Sequence, residues 1–291
     1  MSMPELHSSH PIASAQSERR PSRFARLTKA PLTLWIGLSL FGFWVFIAVF
    51  GHWLAPYGMG DMVSNHVFAG PSEQFPLGTD YLGRDVLSRI LIATRYTLGM
   101  ALTAAVLSSA IGAFFGMLAA LSPRILDPVV SQIMDALISI PSKMMALLVV
   151  AVFGSSIPLL IVAAVASYAP SAYRIARSLA MNQAAMEYVV VARCRGEHRA
   201  HIAVFEMLPN MIGPILTDMG LRFVFIVLLL SAMSFLGLGV QPPMADLGSL
   251  VRENISGLNR GALAVILPAL AIGTMTVGAN LLIDAVSSRR Q

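Results

Sequence analysis

An all-α integral membrane protein with six transmembrane helices is the fold class that this sequence predicts, and three observations predict it. The chain is 56% hydrophobic and only 12% charged, with a mean hydropathy of +0.72, whereas a soluble domain carries about 25% charged residues. A soluble chain of 291 residues could not hide that much apolar surface. Six apolar runs follow one another, each near the roughly 20 residues that a bilayer demands. Lys and Arg then fall unequally on the two sides that those runs define. With the N-terminus inside, thirteen lie on inner segments and five on outer ones. The positive-inside rule therefore places both termini and the Met186–Asn210 stretch in the cytosol.

Residues 1–30 are polar and basic, with Arg19, Arg20, Arg23, Arg26 and Lys29 and no apolar period. They read as a cytoplasmic tail, disordered or lying on the membrane surface. The remainder, 31–291, reads as one transmembrane domain. Its first run, Pro31–Leu54, is long enough to span and is followed by no small-residue cleavage site, so it is read as retained rather than as a signal. Trp35 and Trp53 near its ends suit interfacial anchors. Further spans are expected at about 93–121, 128–153, 157–180, 211–236 and 262–286. Between the first two, Leu82, Val86, Leu87 and Ile90 recur at helical spacing, which predicts a short helix on the outer surface. No internal repeat or inverted pair of broken helices is evident.

The longest polar interruption of the apolar second half is Met186–Asn210. Asn182 can cap a helix running to about Arg195, and Gly196 suits the left-handed position that ends one. Arg193 and Arg195 then sit at the negative end of its dipole. A second short helix is expected from about His198 to Met207, stopping before Pro209. Two short helices with a glycine corner, held at a membrane surface, form a shape that something outside the membrane can push.

Catalytic chemistry finds little support. There is no GxxxxGK[ST] loop, and neither lysine, Lys29 nor Lys143, lies in a glycine-rich turn that could cradle phosphates. Cys194, His198 and His201 lack a fourth ligand, and Gly196 breaks their register, so they read as solvated polar residues rather than a zinc site. No Ser-His-Asp or paired-carboxylate arrangement converges. The intramembrane charges say more. Lys143 lies within the third span after Pro141, and Asp218 and Arg222 lie one turn apart in the fifth. A charge at mid-depth costs about 2.5–3.5 kcal/mol on insertion scales, so each needs a partner or a watery cavity. Two readings stand: Asp218 pairs with Arg222 while Lys143 snorkels or meets Asp135, or Lys143 and Arg222 line a route and favour an anionic group. Gly112, Gly116, Gly273 and Gly278 are read as sites of close helix packing.

From about Ala55 to Val286 the chain resembles a known family. APYG, PLGTDYLGRDVLSRI, EYV…G…LPN and SFLGLGVQPP occur in order and at matching spacing. It is similar to the C-type permease of the dipeptide/oligopeptide/nickel group of binding-protein-dependent ABC importers. The resemblance implies a type I importer permease fold and transport of peptides or peptide-like solutes. It implies four kinds of partner: a B-type permease, one or two ATPase subunits that hold ATP and Mg, an extracytoplasmic substrate-binding protein, and membrane lipid. No cofactor would be bound by this chain, and no nucleic acid is involved. The region at about 181–207 would supply coupling helices that dock on the ATPase, a role falling on Glu187, Tyr188, Ala192, Arg193 and Gly196, with Leu208 and Pro209 closing the motif. Where the family has Glu-Ala-Ala, this chain reads Val190-Val191-Ala192, which moves any anionic contact to Glu187 or Glu197. After the Pro-Pro pair, Leu247 replaces the family's usual aromatic. The rival reading is an ion-coupled secondary transporter using Lys143, Asp218 and Arg222 without an ATPase.

Overall fold

The computed structural model describes residues 32–122 and 126–287. The basic tail over 1–30 and the cationic residues Arg124, Arg289 and Arg290 lie outside the described residues. Helix α1 runs Leu32–Leu54, α2 Val86–Leu121, α3 Leu126–Ile138, α4 Ser142–Phe153 and α5 Ile157–Ala184. A short α6, Glu187–Cys194, precedes α7, which is continuous over Arg199–Phe235. A short α8, Leu247–Glu253, and a 3-10 turn, Ile255–Arg260, lead into α9, Leu263–Ser287. Among the described residues, five of these helices are long and apolar enough to cross a membrane, and α3 with α4 makes a sixth span if the bent pair crosses as one.

Three boundaries differ from the sequence expectation, each for a local reason. The expected surface helix is the first part of α2 itself: Asp85 caps it by accepting from the Ser88 N–H at 2.8 Å, and the helix then runs 36 residues without a break. The third span is not straight, for α3 and α4 meet at 85°. Pro141 opens α4 and disfavours a helical Ile140, so the ladder stops between them. The expected short helix over 198–207 is the start of α7. It passes through a π-helical turn at Ile202–Met207 and goes on past Pro209. An α-helical proline ring would strike the carbonyl four residues back, and the wider π turn lies where that strain would fall.

Small residues set the packing. A Cβ added to Gly112 would lie 2.5 Å from the Ala172 Cβ, and one on Gly116 2.7 Å from the Arg177 backbone nitrogen, so α2 and α5 approach backbone to backbone. Gly278 likewise meets α1 at Phe41, whereas Gly273 faces open space and has no such role. Helix α1 is held mainly along α9, with only Gly37, Ile47, Ala48 and Gly51 buried.

The two ends of this bundle differ. At one, residues 55–85 fold back beside α8, and Asp80, Arg84, Arg89 and Glu253 meet. Arg84 Nε and Arg89 Nη1 lie 2.7 and 2.6 Å from Asp80 Oδ2, and both guanidinium groups reach Glu253 Oε2, at 2.8 and 2.9 Å. Asp80 is 1% exposed and Arg89 2%. At the other end sit α6 and the start of α7. We call these the Asp80 end and the Tyr188 end.

Candidate coupling corner and membrane groove

Helix α6 starts after Met186, which offers no side-chain cap, and Asn182 lies inside α5 rather than capping α6. Its other end follows the expected chemistry. Gly196 has φ +77°, its N–H donates to the Arg193 carbonyl at 3.0 Å, and the Glu197 N–H donates to the Ala192 carbonyl at 3.2 Å. These are the two hydrogen bonds of a Schellman termination, and the left-handed residue turns the chain out of the helix. Among the described residues beyond its two chain neighbours, no atom lies within 4 Å of where a Gly196 Cβ would be, so the backbone conformation is what requires glycine there. The His198 side chain accepts from the Ala200 N–H at 3.3 Å and opens α7.

The inner side of the corner is apolar. Val189 and Ala192 of α6 are fully buried with Ile202, Met207 and Met211 of α7, Ala180 of α5 and Met117 of α2. Tyr188 and Leu208 pack against this cluster. The Tyr188 hydroxyl donates to Gln183 Oε1 and accepts from Asn210 Nδ2, the latter at 3.3 Å. Of the residues expected to couple, Tyr188, Ala192, Gly196 and Leu208 thus form one unit. Glu187 and Arg193 face outward, and neither makes an ion pair among the described residues. Pro209 is exposed and lines a groove beside Asn210. Glu197 is engaged by Arg195 at 2.7 Å, with His201 Nε2 3.7 Å away. Sequence reasoning missed the cluster's Met117 on α2 and its Met207 and Met211, of which the last two could have been suggested by the apolar spacing along α7.

The intramembrane charges resolve into one pair and one separate lysine. Arg222, 5% exposed, donates from Nε and Nη2 to the Asp218 carboxylate at 2.6 and 3.2 Å. Its Nη1 donates to the Tyr168 carbonyl at 3.0 Å and to Ser171 Oγ. All three nitrogens of Arg222 are therefore committed within the chain, tying α7 to α5. Lys143 is exposed in the first turn of α4, while Asp135 lies 4.0 Å from Arg174. Asp127 is held by Arg177 through hydrogen bonds of 2.5 and 2.6 Å, a further tie between α3 and α5 that sequence reasoning missed. Two hollows of about 940 and 400 Å³ share Asp218 and Leu221 in their walls. They form a groove along α7 from Pro209 and Asn210 to Ser142, Tyr168 and Phe225. Among the described residues, no group of three or more His, Cys, Asp or Glu side chains could hold a metal ion.

A family model, described as the binding-protein-dependent transport system inner membrane component, matches residues 112–291. The chain belongs to this family. It is therefore a multi-pass membrane permease component of a transport system. The chain is 31% identical over 239 residues to the di/tripeptide transport system permease protein DppC of Pseudomonas aeruginosa, covering 80% of this chain and 79% of that one. It is 31% identical to the peptide transport system permease protein SapC of Escherichia coli, covering 80% of each chain. Against the glutathione transport system permease protein GsiD of Pectobacterium atrosepticum the identity is 32%, over 75% of this chain and 72% of that one. The permease's helix α6, the Gly196 corner, the groove and all of α7 fall within the family match. A secondary transporter working without an ATPase is not favoured by this membership.

Proposed function

We propose that this permease is the C-type subunit of an ATP-driven importer of peptides or peptide-like solutes in a bacterial cytoplasmic membrane, with both termini in the cytosol. It pairs with a B-type permease, and the groove along α7 is its half of the route, with Asp218 and Arg222 as polar points in its wall and Lys143 next to Ser142 at one end. A substrate-binding protein delivers solute at the Asp80 end. One or two ATPase subunits, which hold ATP and Mg, dock on Glu187, Tyr188, Ala192, Arg193 and Gly196 at the Tyr188 end, with Leu208 and Pro209 behind them.

The observation that carries this reading is the apolar cluster beneath α6. A displacement of α6 moves the side chains packed beneath it, because the cluster stays in contact with α6 and passes strain to its neighbours. It passes to α2, α5 and α7, all of which contribute buried side chains to the cluster. Helix α7, with 37 residues, is about 55 Å long at 1.5 Å per residue, so it carries the movement along the whole groove. ATP binding then biases an inward/outward equilibrium through this link.

Gly196→Val tests it. The substitution meets no neighbour and acts only through the left-handed backbone, at a cost of about 1–2 kcal/mol or more for a β-branched residue. Uptake and solute-stimulated ATPase activity are expected to collapse while the purified chain keeps its thermal stability to within a few degrees. Unchanged uptake and unchanged stimulation would remove the corner from the mechanism.

A further inference from the structure

Two opposite charges sit near the middle of α7, yet they do not face the groove equally. The Arg222 guanidinium is turned into the chain, with Nε and Nη2 on Asp218 and Nη1 on the Tyr168 carbonyl and Ser171 Oγ. The Asp218 side chain is the more open of the two, at 17% against 6%. Asp218 lines both hollows, whereas Arg222 lines only the smaller. Among the described residues, Asp218 is thus the one charged side chain in the walls of the larger hollow, of about 940 Å³. A tie between α7 and α5 needs only the guanidinium to be buried. The opening of the carboxylate onto both hollows is additional to it.

Neutral groups in the same walls point the same way. The Asn210 amide nitrogen donates to the Glu206 carbonyl at 2.8 Å and to the Tyr188 hydroxyl at 3.3 Å. The Thr217 hydroxyl donates to the Gly213 carbonyl at 3.2 Å. What these two side chains have left is oxygen lone pairs, and a carboxylate oxygen that accepts one hydrogen bond keeps room for another. Around Asp218 the larger hollow therefore offers acceptors and a negative charge. Lys143 follows Ser142 in the chain but stands in neither wall.

We propose that Asp218 is the selective point of this groove and takes a cationic group of the passing solute, such as the ammonium end of a peptide. Arg222 is then its structural counter-ion and not a site for anions. This rests on the reading of the groove as the route and adds which end of the solute it favours. A cation approaching from the hollow meets the carboxylate before the guanidinium behind it, and Coulomb attraction falls with distance. An anion on the same path meets the like charge first.

The test uses the full-length chain, co-purified with its own transport partners into nanodiscs and carrying Cys194→Ser, which removes its one cysteine. Leu221→Cys is the reporter, since Leu221 is 40% exposed, lines both hollows and lies about one turn from Asp218. Two thiosulfonate reagents of similar size, one bearing a trimethylammonium and one a sulfonate, stand in for the two ends of a peptide. Their labelling rates on the permease are read by mass spectrometry and divided by their rates on a free thiol in solution. The corrected ratio is expected to favour the cation by about fivefold or more at low salt, and less as salt rises. Asp218→Asn with Arg222→Gln removes both charges and is expected to abolish the preference, whereas Asp218→Glu keeps it. Equal corrected rates with the native pair, or rates favouring the sulfonate, overturn the proposal and leave the route standing. A thiol that neither reagent reaches, with or without ATP, would show that the groove is no watery route and sink both readings. The ratio with the native pair and its salt dependence decide the matter without the double variant, should that variant fail to fold.

Discussion

The Asp80 end and the Tyr188 end both carry arginines and carboxylates, yet they hold them in opposite ways. At the Asp80 end the charges are the core: two arginines and two carboxylates share one buried site joining residues 80–89 to Glu253. Burial works to lower the Arg84 pKa, but Asp80 and Glu253 outweigh it and leave the guanidinium above its ordinary value. At the Tyr188 end the core is aliphatic and methionine-rich, and the ion pairs lie outside it, with the Arg195 side chain 58% exposed. Directional contacts between buried charges fix one geometry and penalise any departure from it. Methionine contacts are adaptable and tolerate small shifts. One end is thus built as a clamp, and the other as a joint that can move while staying packed.

The largest expected effect breaks the clamp. Asp80 accepts from both arginines and also from the Leu82 and Arg84 N–H groups, at 2.8 and 2.9 Å. Asp80→Asn keeps the shape and removes the charge, leaving the two buried guanidinium groups with Glu253 alone. Removing one partner from a buried pair costs about 3–5 kcal/mol. A fall in thermal midpoint well beyond that of any substitution at the Tyr188 end is expected, read by unfolding in detergent. A small fall would show that the buried charges are not what fixes this end.

A middle effect sharpens the same contrast. Asp246, fully buried, caps α8 by accepting from the Ser249 N–H at 3.1 Å. Burial first of all pushes its pKa up, against the hydrogen bond from the Ser249 N–H that pulls it down. A raised folded-state pKa means that the folded chain holds this proton more tightly than the unfolded one. The wild type therefore loses stability as pH rises from the ordinary aspartate value, about 3.9, through the higher folded value. Asp246→Asn keeps a good cap and is expected to flatten that part of the stability–pH curve. A wild-type curve as flat as the variant's would remove the burial argument at this site.

The contrast between the ends was only half legible in the sequence. The spans were, because runs of apolar residues report their own length, and the Asp218–Arg222 pair was, because i and i+4 share a helix face. Gly196 marked its corner for the same local reason. The clamp was not, since Arg84 and Glu253 lie 169 residues apart and ion pairs across the chain leave no local pattern. Leu82, Val86, Leu87 and Ile90 instead read as a separate surface helix, which hid the start of α2 at Val86. The bend of α3 against α4 was marked by Pro141, but the apolar run continues through it, and composition does not show direction. The π turn before Pro209 was hidden too: proline signals a broken ladder, and the wider turn lets α7 run on.

The smallest effect is expected at the joint's surface. Arg195 bridges Glu197 at 2.7 Å and approaches Glu206 at 3.7 Å, so it links the turn after α6 to the π turn of α7. By geometry it resembles Arg84, which also reaches two carboxylates. Its exposure makes the difference, because solvent-exposed pairs contribute about 0–1 kcal/mol and are screened by salt. Arg195→Ala is expected to move the thermal midpoint by no more than a degree or two, and by less still at high salt. The Glu197 and Glu206 side chains that it leaves are 22% and 30% exposed, against 1% for Asp80 and 10% for Glu253 in the clamp. A loss comparable to that of Asp80→Asn would mean that the Tyr188 end is also held by its charges. The distinction between clamp and joint would then fail where it is easiest to check.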